Sequence, residues 1–336
     1  MKKTLKIIGT IIIILAIVYL LGPTPATPKY NAALSIPMSG TTTTMIDKVL
    51  TTTETAAHAK PNNEAKIIWA DTAKTLTEYV LLYLPGFTAS HTEGAPIHTN
   101  LAAKYGCNLY LARLYGHGLQ DTTHTFEDFT VDKYYASAVD ALSTAIQLGN
   151  KVIIMGTSTG GSLALKLAAA FPNKVHGLIL LSPNIAINDP NAWLLNNHWG
   201  KQIATLVKGG STFHSTRQDS TYRKYWNTSY NVNGAVQVEE LLETSMTSST
   251  FNKLTQPTCL LYYYQDEAHQ DPVVKVSAMK TMYAQLGTPN NSKYECAIPK
   301  AANHVIGSYV QSGDLATVQE KIAFFVENIM HIKALK

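Results

Sequence analysis

Gly156-Thr157-Ser158-Thr159-Gly160 sets a serine midway between two glycines. The apolar run Lys151 to Met155 leads into it, and an alanine-rich helical run from Ser162 to Phe171 comes after it. Strand, sharp turn and helix in that order form the context in which a serine becomes a nucleophile: the strained turn lifts its hydroxyl above the sheet edge. Glycines on either side keep side chains out of the neighbouring strand and helix. The opening turn of the helix aims backbone N–H dipoles at a developing oxyanion. Such a serine is inert until a histidine takes its proton and a carboxylate orients that histidine, and in chains built this way the order is Ser, Asp or Glu, His.

Eleven histidines compete to be the base. His304 is the best placed, because Ala301-Ala302-Asn303-His304-Val305 falls between the last strand-like run and a C-terminal helix, where a loop can hang over the sheet edge. His117 lies in a Gly-His-Gly turn, His198 and His214 lie in a long insertion, and His331 lies near the terminus. His91 comes after the loop that could supply oxyanion donors and is a candidate substrate contact. For the acid, Asp266, Glu267 and Asp271 lie just beyond the strand-like run ending at Tyr264. Asp271 is preferred, since the Pro-Val-Val after it starts an amphipathic helix and leaves it at the loop's far end; Asp266 is the second choice. The strand-like run ending at Leu84 enters Pro85-Gly86-Phe87-Thr88, so the backbone N–H groups of Phe87 and Thr159 are the expected oxyanion donors. No histidine pair has metal-ligand spacing on a helix face, and this chemistry requires neither metal nor cofactor.

Six strand-like runs, 79–84, 108–114, 151–155, 175–181, 258–264 and 294–298, alternate with helical stripes. Tyr135, Val139, Leu142 and Ile146 form one stripe and Val318, Ile322, Phe325 and Ile329 another, both expected to face the sheet. The fold class is therefore α/β, with a mostly parallel central sheet flanked by helices. Residues 184–256 separate two sheet strands by more than a crossover helix needs and read as an inserted cap over the sheet's C-terminal edge. Glu239, Glu240 and Glu243 within it could bind a substrate amine or could form the solvated face of a helix.

At 336 residues with 46% apolar content the chain can bury a large core, and its net charge of +4 requires no nucleic acid partner. Lys2, Lys3 and Lys6 precede the uncharged run Ile7 to Leu21. At about 1.5 Å per residue that run is short for a hydrocarbon core of about 30 Å, a deficit that snorkelling lysines can offset. Residues 1–22 are thus expected to be a membrane anchor or signal segment, with the anchor favoured because prolines crowd the cleavage sites, although Thr24-x-Ala26 is a weak match. Residues 23–60, which include Thr41 to Thr44 and Thr51 to Thr53, are expected to be a Thr/Pro-rich stalk with one short helix, and residues 61–336 the catalytic domain. The lysines place that domain outside the cytoplasm, periplasmic or at the cell surface, and secreted if the segment is cleaved. Cys107, Cys259 and Cys296 are too scattered for a disulfide framework and are expected to be buried thiols.

LYLPGFTASH, ARLYGHG, IIMGTSTGGSLAL, DPVV and NHV stand in an order and at separations that resemble the α/β-hydrolase superfamily. Within it the chain is similar to cap-bearing monoacylglycerol lipase and esterase-like proteins, also grouped with serine aminopeptidase S33-like hydrolases. The resemblance runs from about Lys66 to the C-terminus. It implies Ser158 as nucleophile, Asp271 as acid, His304 as base and Phe87 with Thr159 as oxyanion donors, acting on a small ester or lipid-like substrate. Two departures stand out: the usual His-Gly of the oxyanion loop is Pro85-Gly86, and the loop carrying Asp271 is longer. The rival expectations are a membrane-tethered aminopeptidase or amidase, and a catalytically silent binding protein on the same fold.

Overall fold

The computed structural model describes residues 2–35, 42–217 and 219–335. In chain order its elements are α1 (Lys2–Leu20), α2 (Thr43–Ala56), β1 (Lys66–Ile68), β2 (Thr77–Leu84), α3 (Ile97–Tyr105), β3 (Asn108–Leu111), α4 (Val131–Ala145), β4 (Gly149–Thr157), α5 (Thr159–Ala170) and β5 (Val175–Leu181). An insertion comes next, with α6 (Gly200–Lys208), β6 (Thr212–His214), α7 (Ser220–Tyr225), β7 (Ser229–Asn231), α8 (Val232–Ser245) and α9 (Ser248–Phe251). The chain then returns through β8 (Thr258–Tyr262), α10 (Val276–Gln285), β9 (Lys293–Ala297) and α11 (Leu315–Asn328).

The main sheet has the order β1-β3-β2-β4-β5-β8-β9, with β1 alone antiparallel to its neighbour. Because side chains alternate along a strand, each strand serves two cores. Val80, Leu82 and Leu84 of β2 pack with α4 and α5, while Leu81 and Tyr83 pack with α3 and α11 on the opposite face. The two helical stripes fill these layers: Tyr135, Val139 and Leu142 belong to one, and Val318, Ile322 and Phe325 to the other. Double coverage explains why β4 reads as a continuous apolar run rather than an alternating one. Strand β1 carries no such signal, being three residues long at the sheet edge. Cys107 and Cys259 are buried, Cys296 is half-buried, and all three are free thiols.

The described parts of 23–60, residues 23–35 and 42–60, make contacts with the domain that a free stalk would not. Lys29 and Tyr30 donate their amides to Asp132 Oδ1 at 2.9 Å each, and the Tyr30 ring meets Tyr135 edge-on. In α2, Ile46 and Leu50 lean on the core, and the buried Glu54 carboxylate pairs with Arg113, accepting from its Nη2 at 3.0 Å. One helical turn separates Ile46 from Leu50, an apolar spacing masked by the threonines around it. Thr41 lies outside the described residues; Thr42 caps α2 by accepting from the Met45 amide. Helix α1 is exposed over its apolar length.

Candidate active site

Strand β4 ends at Thr157, and α5 begins at Thr159. Ser158 between them has φ of +53° and ψ of −123°, a conformation costly for a residue with a side chain. The neighbours enforce it. Ser158 donates its amide to Leu181 O at 3.0 Å, and its carbonyl accepts from Gly161 N and Asn184 N at 2.9 Å each. A Cβ on Gly160 would sit 2.1 Å from Leu84 O, and one on Gly156 would sit 2.6 Å from Gly160 O, so both flanking positions exclude any side chain. Thr159 opens α5, where helical N–H groups have no carbonyl partner inside the helix.

His304 lies in the loop after β9, and Asp271 in the loop after β8. The His304 Nδ1–H donates to Asp271 Oδ2 at 2.7 Å, while Asp271 Oδ1 accepts from the Val273 and Val274 amides at 2.9 and 3.0 Å. Asp271 is wholly buried and each of its carboxylate oxygens accepts from a donor, which fixes the imidazole tautomer. The opposite nitrogen, Nε2, is buried without a hydrogen-bond partner. Burial alone would lower the His304 pKa, but the Asp271 carboxylate, their hydrogen bond and the nearby Glu93 carboxylate raise it above the usual 6.5. Asp266 is engaged elsewhere: its carboxylate accepts from His269 Nδ1 at 2.8 Å and from the Ala268 and His269 amides on the exposed loop.

Ser158, His304, Thr159 and Phe87 line one cavity of about 600 Å³ between the sheet edge and the insertion. The Phe87 ring stacks on Phe126 at a centroid distance of 4.7 Å and meets Tyr230 of β7 edge-on. The loop bearing Phe87 is sewn to the insertion, with Asn227 N donating to Thr88 O at 2.9 Å and Ser90 N to Tyr225 O at 2.8 Å. An oxyanion formed at Ser158 would thus meet a backbone held from both sides.

His91 is not among the residues lining that cavity. It sits in the 3₁₀ turn His91–Gly94, buried, and desolvation pushes its pKa down to about 3. Two residues on, Glu93 does line the cavity, although no motif in the sequence singles it out. Its carboxylate accepts the Gly86 amide, and a Cβ on Gly86 would lie 2.9 Å from both Glu93 Oε1 and Ser158 Cβ. Burial raises the Glu93 pKa to about 7 against the opposing pull of the Gly86 amide, His304 and Trp226. Glycine at position 86 is what lets a carboxylate and the serine approach one another this closely. Glu239 and Glu240 are buried, Glu243 is exposed as a solvated helix face would have it, and none of the three lines the cavity. Among the described residues no His, Cys, Asp and Glu group could hold a metal.

A profile of the family described as serine aminopeptidase, S33, matches residues 77–298. Solved structures of the same fold include a metagenome-derived lipolytic enzyme, 16% identical, with a TM-score of 0.63 over 80% of this chain and 99% of that one. Est1E of Butyrivibrio proteoclasticus with ferulic acid bound is 20% identical, with a TM-score of 0.54 over 80% and 95%. The Paleococcus ferrophilus monoacylglycerol lipase is 12% identical, with a TM-score of 0.56 over 79% and 98%. Identity at this level speaks for a common fold alone. Among curated proteins, the Arabidopsis thaliana protein PHYLLO, chloroplastic, is 32% identical over 119 residues, and the match spans 34% of this chain and 7% of that protein's length.

Proposed function

Because the chain belongs to the serine aminopeptidase S33 family of α/β-hydrolases, we propose that it is a serine hydrolase that cleaves carboxylic esters through an acyl-enzyme. One observation carries this reading: the buried Asp271–His304 hydrogen bond leaves Nε2 unpartnered in the cavity that Ser158 lines. His304 Nε2 takes the Ser158 proton as the hydroxyl oxygen attacks the ester carbonyl, and Asp271 holds the imidazolium that forms. The Phe87 and Thr159 amides receive the negative charge on the carbonyl oxygen. The imidazolium then protonates the leaving alkoxide. Water, activated by the same Nε2, releases the acid.

Ester is the favoured substrate because the cavity wall carries Phe87, Phe213, Trp226 and Tyr230, which suit an apolar acyl or aryl group. One observation favours aminoacyl amides as the second reading: Glu93 on the same wall is a carboxylate that could accept a substrate ammonium. In this reading residues 184–256 are a cap, α1 anchors the chain and the catalytic domain lies outside the cytoplasm, since basic residues precede the apolar helix. Labelling by a fluorophosphonate, lost in Ser158→Ala, tests the nucleophile. A panel of p-nitrophenyl esters beside aminoacyl arylamides tests the substrate, and faster turnover of the arylamides would reverse the preference stated here.

A further inference from the structure

Helix α6 lies almost uncovered on the insertion. Gly200 is its one buried residue, and Leu206 and Val207 are 82% and 76% exposed. Single exposed apolar residues are ordinary, but Ile203, Leu206 and Val207 recur at three- and four-residue spacing and form a stripe. The neighbour of that stripe is visible at the start of the helix. Trp199, its N-cap, donates its amide to Pro23 O at 3.0 Å and its indole N–H to Val18 O at 2.9 Å. His198 Nδ1 donates to Gly22 O at 2.8 Å, and Tyr19 meets the His198 ring edge-on. A Cβ on Gly22 would fall 2.2 Å from the Trp199 ring, so the glycine is part of the clasp.

The last turn of α1 is therefore fastened to the first turn of α6. Over Lys3–Leu20, α1 has a mean hydropathy of 2.1 and no burial in the domain. The nine residues of α6 span about 13 Å at about 1.5 Å each, so none of it lies far from the point where α1 would leave a bilayer. Exposed Lys201 and Lys208 accompany the apolar stripe, the composition of a helix that lies in a membrane interface. Through Ile203 and Val207 the stripe also borders a cavity of about 320 Å³ behind α6, which shares Ile187, Asp189, Leu195, Phe213, Tyr230 and Ala235 with the cavity of Ser158. The exposed stripe therefore borders a cavity that adjoins the one lined by Ser158.

We infer that the outer face of α6 rests in the lipid headgroup layer beside α1, and that amphiphilic esters reach Ser158 from the bilayer along the cavity behind it. The surface rests on reading α1 as a membrane segment, and the route rests in addition on Ser158 as nucleophile. The full chain is reconstituted into phosphatidylcholine–phosphatidylglycerol vesicles with a nitroxide on Leu206→Cys, in a Cys296→Ser background. Glu320→Cys serves as the water-exposed reference. The expected result is at least a fivefold excess of oxygen over nickel-chelate collision rates at position 206 relative to position 320.

In the unlabelled chain, Leu206→Glu, at a position that lines neither cavity, is expected to lower hydrolysis of a long-chain ester dissolved in the vesicles by fivefold or more. Hydrolysis of p-nitrophenyl acetate in water should change less than twofold. Equal collision ratios at the two sites in a chain that resists alkaline carbonate extraction would overturn the surface and leave the anchor standing. Spin–spin broadening at position 206 would assign the stripe to a second copy and overturn it likewise. Release of the chain by carbonate would remove the premise and the inference together. Loss of activity on neither ester would overturn the route, whereas absence of all ester hydrolysis in the parent chain, with a lipid-like collision ratio at position 206, would strike down the proposed function and the route that rests on it and leave the surface standing.

Discussion

Replacing Glu93 by glutamine should make the protein more stable above neutral pH while shifting its catalytic pH dependence. The carboxyl is buried among Gly86, Ser158, His304 and Trp226, and its pKa climbs from 4.5 to about 7 on folding, burial being the largest cause. An acid whose pKa is raised in the folded state costs nothing while it is protonated in both states. The penalty begins as pH rises past 4.5, where the unfolded chain loses its proton, and is complete once the folded carboxyl ionises near 7. At about 1.36 kcal/mol per pH unit, the full penalty is roughly 3 kcal/mol. For a domain of this size that corresponds to a Tm difference on the order of 6 °C. Glu93→Gln keeps an oxygen to accept the Gly86 amide and removes the ionisation. Its Tm should match the parent at pH 4.5 and exceed it by about that amount at pH 8. Glu239, also raised to about 7, and the neutral buried His91, His98 and His117 titrate in both proteins, so the difference between the two melting curves reports Glu93 together with the His304 whose protonation it favours. The same substitution removes a charge that favours protonated His304, so the acid limb of kcat/KM should move to lower pH. A Tm difference that stays flat from pH 4.5 to 8 would refute the assignment of an ionising, buried carboxyl.

In the proposed mechanism neutral His304 takes the serine proton, and its surroundings favour protonation, so kcat/KM should fall as pH drops through a midpoint above 6.5; a pH–rate profile measures it. Asp271→Asn should lower kcat by about 10⁴-fold, since the amide can hold the wrong tautomer of His304, with the Tm largely kept. Glu54→Ala should cost about 3 kcal/mol by denaturant titration, because it strands the Arg113 guanidinium and the Ala65 amide, with KM unchanged. Gly160→Ala should abolish activity and lower stability together, as its methyl group would occupy the place of Leu84 O; circular dichroism melting beside an ester assay checks both.

The sheet was legible because its strands are covered on both faces and therefore written as long apolar runs, and the helices because each faces a single layer. Elements that depend on partners far along the chain were not. Strand β1 is three residues at an edge, and α2 reveals its apolar face only in Ile46 and Leu50. The polar anchors of the N-terminal segment, Asp132 for the amides of Lys29 and Tyr30, lie about a hundred residues away, and no local pattern reports them. Residues 23–60 read as a stalk because threonine and proline outnumber the few residues that dock.

Within the site, legibility depended on how far each residue's role is determined by its own neighbours. Ser158 needs a turn between two glycines, and that requirement is printed within five residues. Asp271 could be separated from Asp266 only by the residues after it, since the Val273 and Val274 amides that bond its Oδ1 come from the start of the next segment. His91 and Glu93 show the limit. Both lie on one 3₁₀ turn, where each residue advances about 120°, so two positions apart they point in widely different directions. Only one of them can face the cavity, and the choice is made by Gly86, whose amide seeks an acceptor and whose missing side chain leaves room for it beside Ser158. A carboxylate satisfies that amide as a charged acceptor and can also face an imidazolium; a histidine there would meet His304 with a second ring that protonation would turn repulsive. The turn therefore presents Glu93 and buries His91 behind it, an outcome set by a glycine seven residues upstream of the carboxylate.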